Sequence, residues 1–143
     1  RYDIHELLRQ FAAEQLAATA NARETVEARH GKFYLTFVAE RERRMARNEP
    51  RLAVAEIQSE LDNVRQAWSW ASAHGQLPEL ESSASGLSYF YVYVGLYAEA
   101  EQTFTLAAEQ VLARLGQMSD AGAEMPYCQQ VASKLLAVRA SFA

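Results

Sequence analysis

The 143-residue sequence holds one cysteine, Cys128, with three prolines and six glycines. A lone cysteine excludes an internal disulfide and fits a reducing, cytoplasmic setting. So few prolines and glycines leave long stretches with nothing to break a helix. Long hydrophobic runs are missing as well. The longest, Tyr89 to Ala98 with Gly95 inside it, falls far short of the ~20 residues a membrane-spanning helix needs. The opening residues do not read as a secretory leader, so a soluble protein is expected. No excess of positive charge is present: the formal net charge of -4 offers no general attraction to nucleic acid or anionic membranes.

What remains favours helices. Half the residues are hydrophobic, and Ala, Leu, Glu, Arg and Gln are abundant, which predicts an all-α fold. The length suits one domain that can bury a core without disulfides or metals. The first helix is expected near Ile4, with Asp3 as N-cap and Ile4, Leu7, Leu8, Phe11 and Leu16 as its apolar stripe. Asn21 and Glu24 resemble a capping box for a second helix carrying Val26, Phe33, Tyr34, Phe37, Val38 and Met45. Asn48-Glu49-Pro50 opens a third, which buries Ile57, Leu61, Val64, Trp68 and Ala71 and ends at His74-Gly75.

After Leu77-Pro78 a fourth helix runs to about Val94, and Gly95 breaks it. A fifth follows from Tyr97 to Leu115, closed by Gly116, with Phe104, Ala107, Ala108, Val111, Leu112 and Leu115 on one side. These two read as a helical hairpin. Tyr89 to Val94 is rich in β-forming residues, yet it lacks period-two alternation and has no partner strand, so helix is the reading adopted. Gly122 to Pro126 leads into a sixth helix with Val131, Leu135, Val138 and Phe142. The chain starts Arg1-Tyr2-Asp3 and stops inside a helical pattern, so it is read as a piece of a larger protein whose last helix lacks its repeat partner.

Two sets of motifs carry a resemblance. Gly95-Leu96-Tyr97-Ala98-Glu99-Ala100, with Phe104 and Ala107, looks like the turn and second helix of a tetratricopeptide repeat. Upstream, His5-Glu6-Leu7-Leu8-Arg9-Gln10-Phe11, then Arg29-His30-Gly31-Lys32-Phe33-Tyr34, then Glu60-Leu61-Asp62-Asn63-Val64-Arg65-Gln66-Ala67-Trp68 occur in that order. Together they resemble the segment that follows the nucleotide-binding and winged-helix domains of bacterial STAND-type ATPases, including large LuxR-like and SARP-like transcriptional regulators. The resemblance implies a right-handed helical-repeat (TPR-like) superhelix of about six helices. It divides into a three-helix connector over 1-76 and, over 77-143, a TPR-like hairpin with the first helix of a following repeat. It also implies a sensor or autoinhibitory arm, partnered by a protein, by the neighbouring ATPase domain of the same chain or by a small effector. No Gly-x-x-x-x-Gly-Lys-Ser/Thr loop occurs, so ATP binding is assigned to no residue here and no cofactor is expected. Direct nucleic-acid contact is not expected either.

The chemistry-bearing residues give few alternatives. His5, His30 and His74 share no i, i+4 face and stand far from Cys128, a pattern unlike a metal site, and none is expected. Glu56 and Glu60 fall on one helical face as paired acid-base carboxylates would, although exposed helix chemistry explains them equally, and no catalytic residue is assigned. Asp62, Asn63 and Arg65 are either an interdomain interface, or Asn63 caps a neighbouring helix end and Asp62 and Arg65 form an i, i+3 ion pair. The run Glu40 to Arg47 interleaves acids with its arginines and reads as a solvated helix end. Tyr89, Tyr93 and Tyr97 are either a ligand- or partner-binding stripe on the concave side of the array or core packing between hairpins. The function expected is regulatory and non-catalytic; the alternative is a passive scaffold that binds an extended peptide.

Overall fold

Proline and glycine mark the helix ends, as their backbone preferences require. The computed structural model describes residues 20–47, 49–117 and 124–143. Among these are six helices and no strand: α1 (Ala20–Ala46), α2 (Pro50–Ser59), α3 (Leu61–His74), α4 (Leu77–Val94), α5 (Tyr97–Gln117) and α6 (Glu124–Ala140). The helix expected over Ile4 to Leu16, and His5 with it, lies outside the described residues. Pro50 occupies the first turn of α2, where its missing N–H costs no hydrogen bond. Gly75 and Gly95 close α3 and α4 in the left-handed conformation, with φ of 64° and 75°. Each end is a Schellman motif: Gln76 N–H reaches Ala71 O at 2.9 Å, and Leu96 N–H reaches Tyr91 O at 3.1 Å.

Several expected boundaries shift. Asn21 lies inside α1 instead of ahead of it, and α5 runs through Gly116 to Gln117. The single helix expected from Pro50 to His74 is two, broken at Glu60, whose φ of -117° and ψ of 15° leave the helical region. Its N–H tightens onto Ile57 O at 3.0 Å, while its own carbonyl accepts Val64 N–H at 3.0 Å to start α3. The Glu60 carboxylate accepts Asn63 Nδ2 at 2.7 Å and Tyr34 OH at 3.3 Å, which fixes the break against α1. The break lets both halves bury their apolar rows, Ala53, Val54 and Ile57 on α2 and Leu61, Val64, Ala67, Trp68 and Ala71 on α3.

The buried side chains form one cluster from Leu35 to Phe142. α1 packs across α3 and α4, and α5 packs along α6, which also touches α4. Where α1 crosses α4, a Cβ on Gly86 would stand 2.8 Å from Val38 O, so only glycine admits this approach. Val26, Phe33 and Leu112, expected in the apolar stripes, are exposed instead. Val38 and Met45 of the expected stripe are buried and Tyr34 and Phe37 pack against the core, with Leu35, outside that stripe, fully buried beside them. The last helix is not short of cover: Val131 and Leu135 are fully buried and Phe142 is 9% exposed. Its Cys128, and Phe142 just beyond its end, meet Val111 and Phe104 of α5.

Candidate functional site

Arg65 stands on the outer side of α3, one turn after Leu61, and its guanidinium bridges to the first turn of α5. Its Nε and Nη2 each donate to Glu99 at 2.7 Å, and Nη1 donates to Asp62 Oδ1 at 3.0 Å. Such a two-bond fork is the strong form of an arginine–carboxylate pair. Glu99 also sits where a negative charge suits the dipole of α5. Tyr91, buried on α4, donates its hydroxyl to Glu99 Oε1 at 3.1 Å and stands 3.4 Å from Thr103 Oγ1. The Arg65 guanidinium holds the Glu99 carboxyl below its usual range, against the opposing effect of burial. Burial pushes the Tyr91 phenol up to about 12, so it remains a donor through the neutral range.

Inside this polar bridge, between α3, α4 and α5, lies a cleft of about 140 Å³. Trp68 and Leu87 give it an apolar side, Leu106 an exposed apolar rim, and Arg65, Thr103 and Gln110 polar edges. The indole N–H of Trp68, a residue only 3% exposed, has no hydrogen-bond partner among the described residues.

The three tyrosines singled out in the sequence are exposed at 49%, 51% and 51% for Tyr89, Tyr93 and Tyr97, so the core-packing alternative does not describe them. Tyr89, Val92 and Tyr93 share the outward side of α4 by helical spacing, and all are half exposed. Tyr97 lies beyond Gly95, and its ring sits 6.2 Å from Phe142. Asp62 and Arg65 make the local i, i+3 pair, and Asn63 bonds the Glu60 side chain instead of capping a neighbouring helix. What sequence reasoning missed is Glu99: the Arg65–Glu99 bond joins residues 34 positions apart, and no local signal carries that contact.

The other candidate groups are held by structural partners. Glu56 takes Arg41 Nε at 2.7 Å and Arg44 Nη2 at 2.9 Å, while Glu60 turns to Tyr34 and Asn63, so the two carboxylates have separate surroundings. The hydrogen bond from Arg44 is the main reason the Glu56 carboxyl lies below its usual range. The basic run is therefore more than a solvated helix end. Arg41 also lies 3.3 Å over the Phe37 ring, and Arg44 pairs with Glu49 at 3.0 Å. His74 stacks on Trp70 at 4.6 Å, and His30 packs on Tyr34 at 4.7 Å. No described helix is long and apolar enough to cross a membrane.

No family model matches the chain, and no solved structure does. Among curated proteins, it is similar to one from Mycobacterium bovis and to two from strains of Mycobacterium tuberculosis, all named provisionally as HTH-type transcriptional regulators. Each is 34% identical over 87 residues, which is 61% of this chain and 10% of the relative. The chain thus spans a small part of much longer regulators, and its all-helical fold is similar in sequence to a segment of them.

Proposed function

We propose that this chain is a non-catalytic regulatory module, the sensor or restraining arm of a STAND-type ATPase that controls transcription, built as a tetratricopeptide-like superhelix. The observation that carries the reading is the similarity to a short segment of long HTH-type regulators, in a chain whose described residues are helices packed pairwise. The catalytic and DNA-reading parts then belong elsewhere in the longer protein. Within the basic run, Arg41 and Arg44 are engaged by Glu56 and Glu49. The exposed face of Tyr89, Val92 and Tyr93 is the surface offered to a partner protein or a neighbouring domain. Asp62 and Arg65, at the outer end of the α3 to α5 bridge, are the contact offered to the ATPase core.

Regulation of this kind requires that a partner bind two arrangements of the arm with different affinity. In a longer regulator carrying this segment, deleting it should raise ATP turnover or nucleotide exchange, and Tyr93→Asp should weaken restraint in the same direction. Unchanged turnover in both, in a folded protein, overturns the restraining role. That result favours a scaffold that binds an extended peptide on the tyrosine face, a reading kept because that face is half exposed.

A further inference from the structure

We propose that the outer side of α1 is a docking surface for an acidic amphipathic helix of a partner protein, with Phe33 as its central apolar contact and Arg29, Lys32, Arg43 and Arg47 as the charges that select it. The surface lies on a different helix from the tyrosine face. It stands on this chain's own geometry, whether or not the segment restrains an ATPase.

The apolar contacts set the shape of the partner. Phe33 is 63% exposed, more than any other large hydrophobic side chain among the described residues, and Val26 is half exposed. Phe37, one turn beyond Phe33, is partly buried with the Arg41 guanidinium over its ring. Val26, Phe33 and Phe37 follow one another at intervals of seven and four, the spacing of a seam along which a second helix packs. Open depressions of about 490, 440 and 470 Å³ succeed one another along this side of α1, between Glu24 and Arg47. From Arg29 to Arg47 the helix runs about 27 Å, which is room for a partner helix of roughly five turns.

Charge sets the partner's identity. Arg29, Lys32, Arg43 and Arg47 are exposed and make no hydrogen bond or ion pair among the described residues, unlike Arg41 and Arg44. The carboxylates lining the same depressions are Glu24 and Glu40. Four free cations against two carboxylates make a local positive excess in a chain whose formal net charge is -4, so the basic surface does not follow from overall composition. Two of the cations stand on the N-terminal side of Phe33 and Thr36, and two beyond Glu40. Glutamates on a partner helix meet both pairs. A second copy of α1, laid on the first in either direction, brings cation against cation instead. A phosphate backbone satisfies the cations but buries neither Phe33 nor Val26 against anything apolar.

The probe is a synthetic peptide of about three heptads with leucine at positions a and d, glutamate at e and g and alanine elsewhere; like charges at e and g keep it from pairing with itself. Added to the isotope-labelled chain at about 50 mM salt, it should shift the backbone amides of α1 saturably, with a Kd on the order of 100 μM. Phe33→Ser and, separately, Arg29→Glu combined with Lys32→Glu should each weaken binding about tenfold. Both change exposed side chains, and unperturbed amide resonances of α4 and α5 report that each variant is folded. The same peptide with lysine in place of glutamate should bind at least about tenfold more weakly. An acidic peptide that leaves the α1 amides unmoved overturns the proposal. So does binding undiminished by Phe33→Ser in the folded chain, or a DNA duplex of about 20 base pairs that shifts the same amides at a lower Kd than the peptide.

Discussion

At the scale of single residues, two side chains carry unusual weight. Trp68 packs edge-on to Phe104 at 5.3 Å and is all but inaccessible, so Trp68→Ala should cost about 3 to 5 kcal/mol in a denaturant titration. A loss near zero would mean that neighbouring helices collapse into the space. Glu99 carries a pH dependence instead. Its carboxyl is held low in the folded chain by Arg65 first and by Tyr91 as well, so its contribution is complete above the unfolded value of ~4.3. That contribution is lost as pH falls through the folded value. Glu99→Gln should therefore lower Tm at neutral pH, and the gap from the parent chain should narrow toward about pH 3. Parallel Tm curves across that range would show that the Arg65 bond adds nothing to folding. Glu56, held low by Arg44 and Arg41, supplies a second acid-sensitive group that keeps the parent curve sloping in either case.

Helices meet where side chains are smallest. Gly86→Ala would press a methyl against the Val38 carbonyl at 2.8 Å, and backbone on the far side cannot swing away as a side-chain tip can. The substitution should cost about 1 to 3 kcal/mol by forcing α1 and α4 apart, read as a fall in the denaturation midpoint. Helix propensity alone predicts the opposite sign, since alanine favours a helix over glycine by up to ~1 kcal/mol, so a rise would show the helices part freely. The same contrast explains what the sequence made legible. Pro50, Gly75 and Gly95 are chemical punctuation, and all three helix ends fall where those residues put them. The break at Glu60 has no such mark, because it follows from docking α2 and α3 onto α1 through Tyr34 and Asn63. Burial was legible by period along α3, whereas on α1 it was legible in part: Val38 and Met45 are buried and Tyr34 and Phe37 pack on the core, but Phe33 is 63% exposed and Leu35, outside the stripe, is not exposed at all. Of the candidate site, Arg65 and the tyrosines could be named from local patterns. Glu99, Leu87 and Thr103 join them only through the packing of α4 and α5.

Across the whole molecule the question is whether α6 is a detachable flap or part of the core. It is tied to α4 by Tyr127 OH, Gln130 Nε2 and Lys134 Nζ, which donate to Glu81 at 2.8, 2.9 and 2.7 Å. It is tied to α5 by the stacked rings of Phe142 and Phe104 at 6.0 Å and by the buried Val131 and Leu135. Because these residues belong to the same continuous cluster as Trp68, α6 should leave only when the core does. Cys128 makes this measurable. It is the chain's only thiol, it is 1% exposed, and burial pushes its pKa up, so it reacts with a thiol reagent only after α6 undocks. Along a denaturant gradient, Cys128 labelling and Trp fluorescence should change at the same midpoint. In Leu135→Ala both midpoints should fall together, by an amount equivalent to about 2 to 5 kcal/mol. Labelling that precedes the fluorescence change would mean α6 opens on its own. A docked α6 joins Cys128 and Trp68 in one cooperative unit, whereas a separable α6 would divide the core into two.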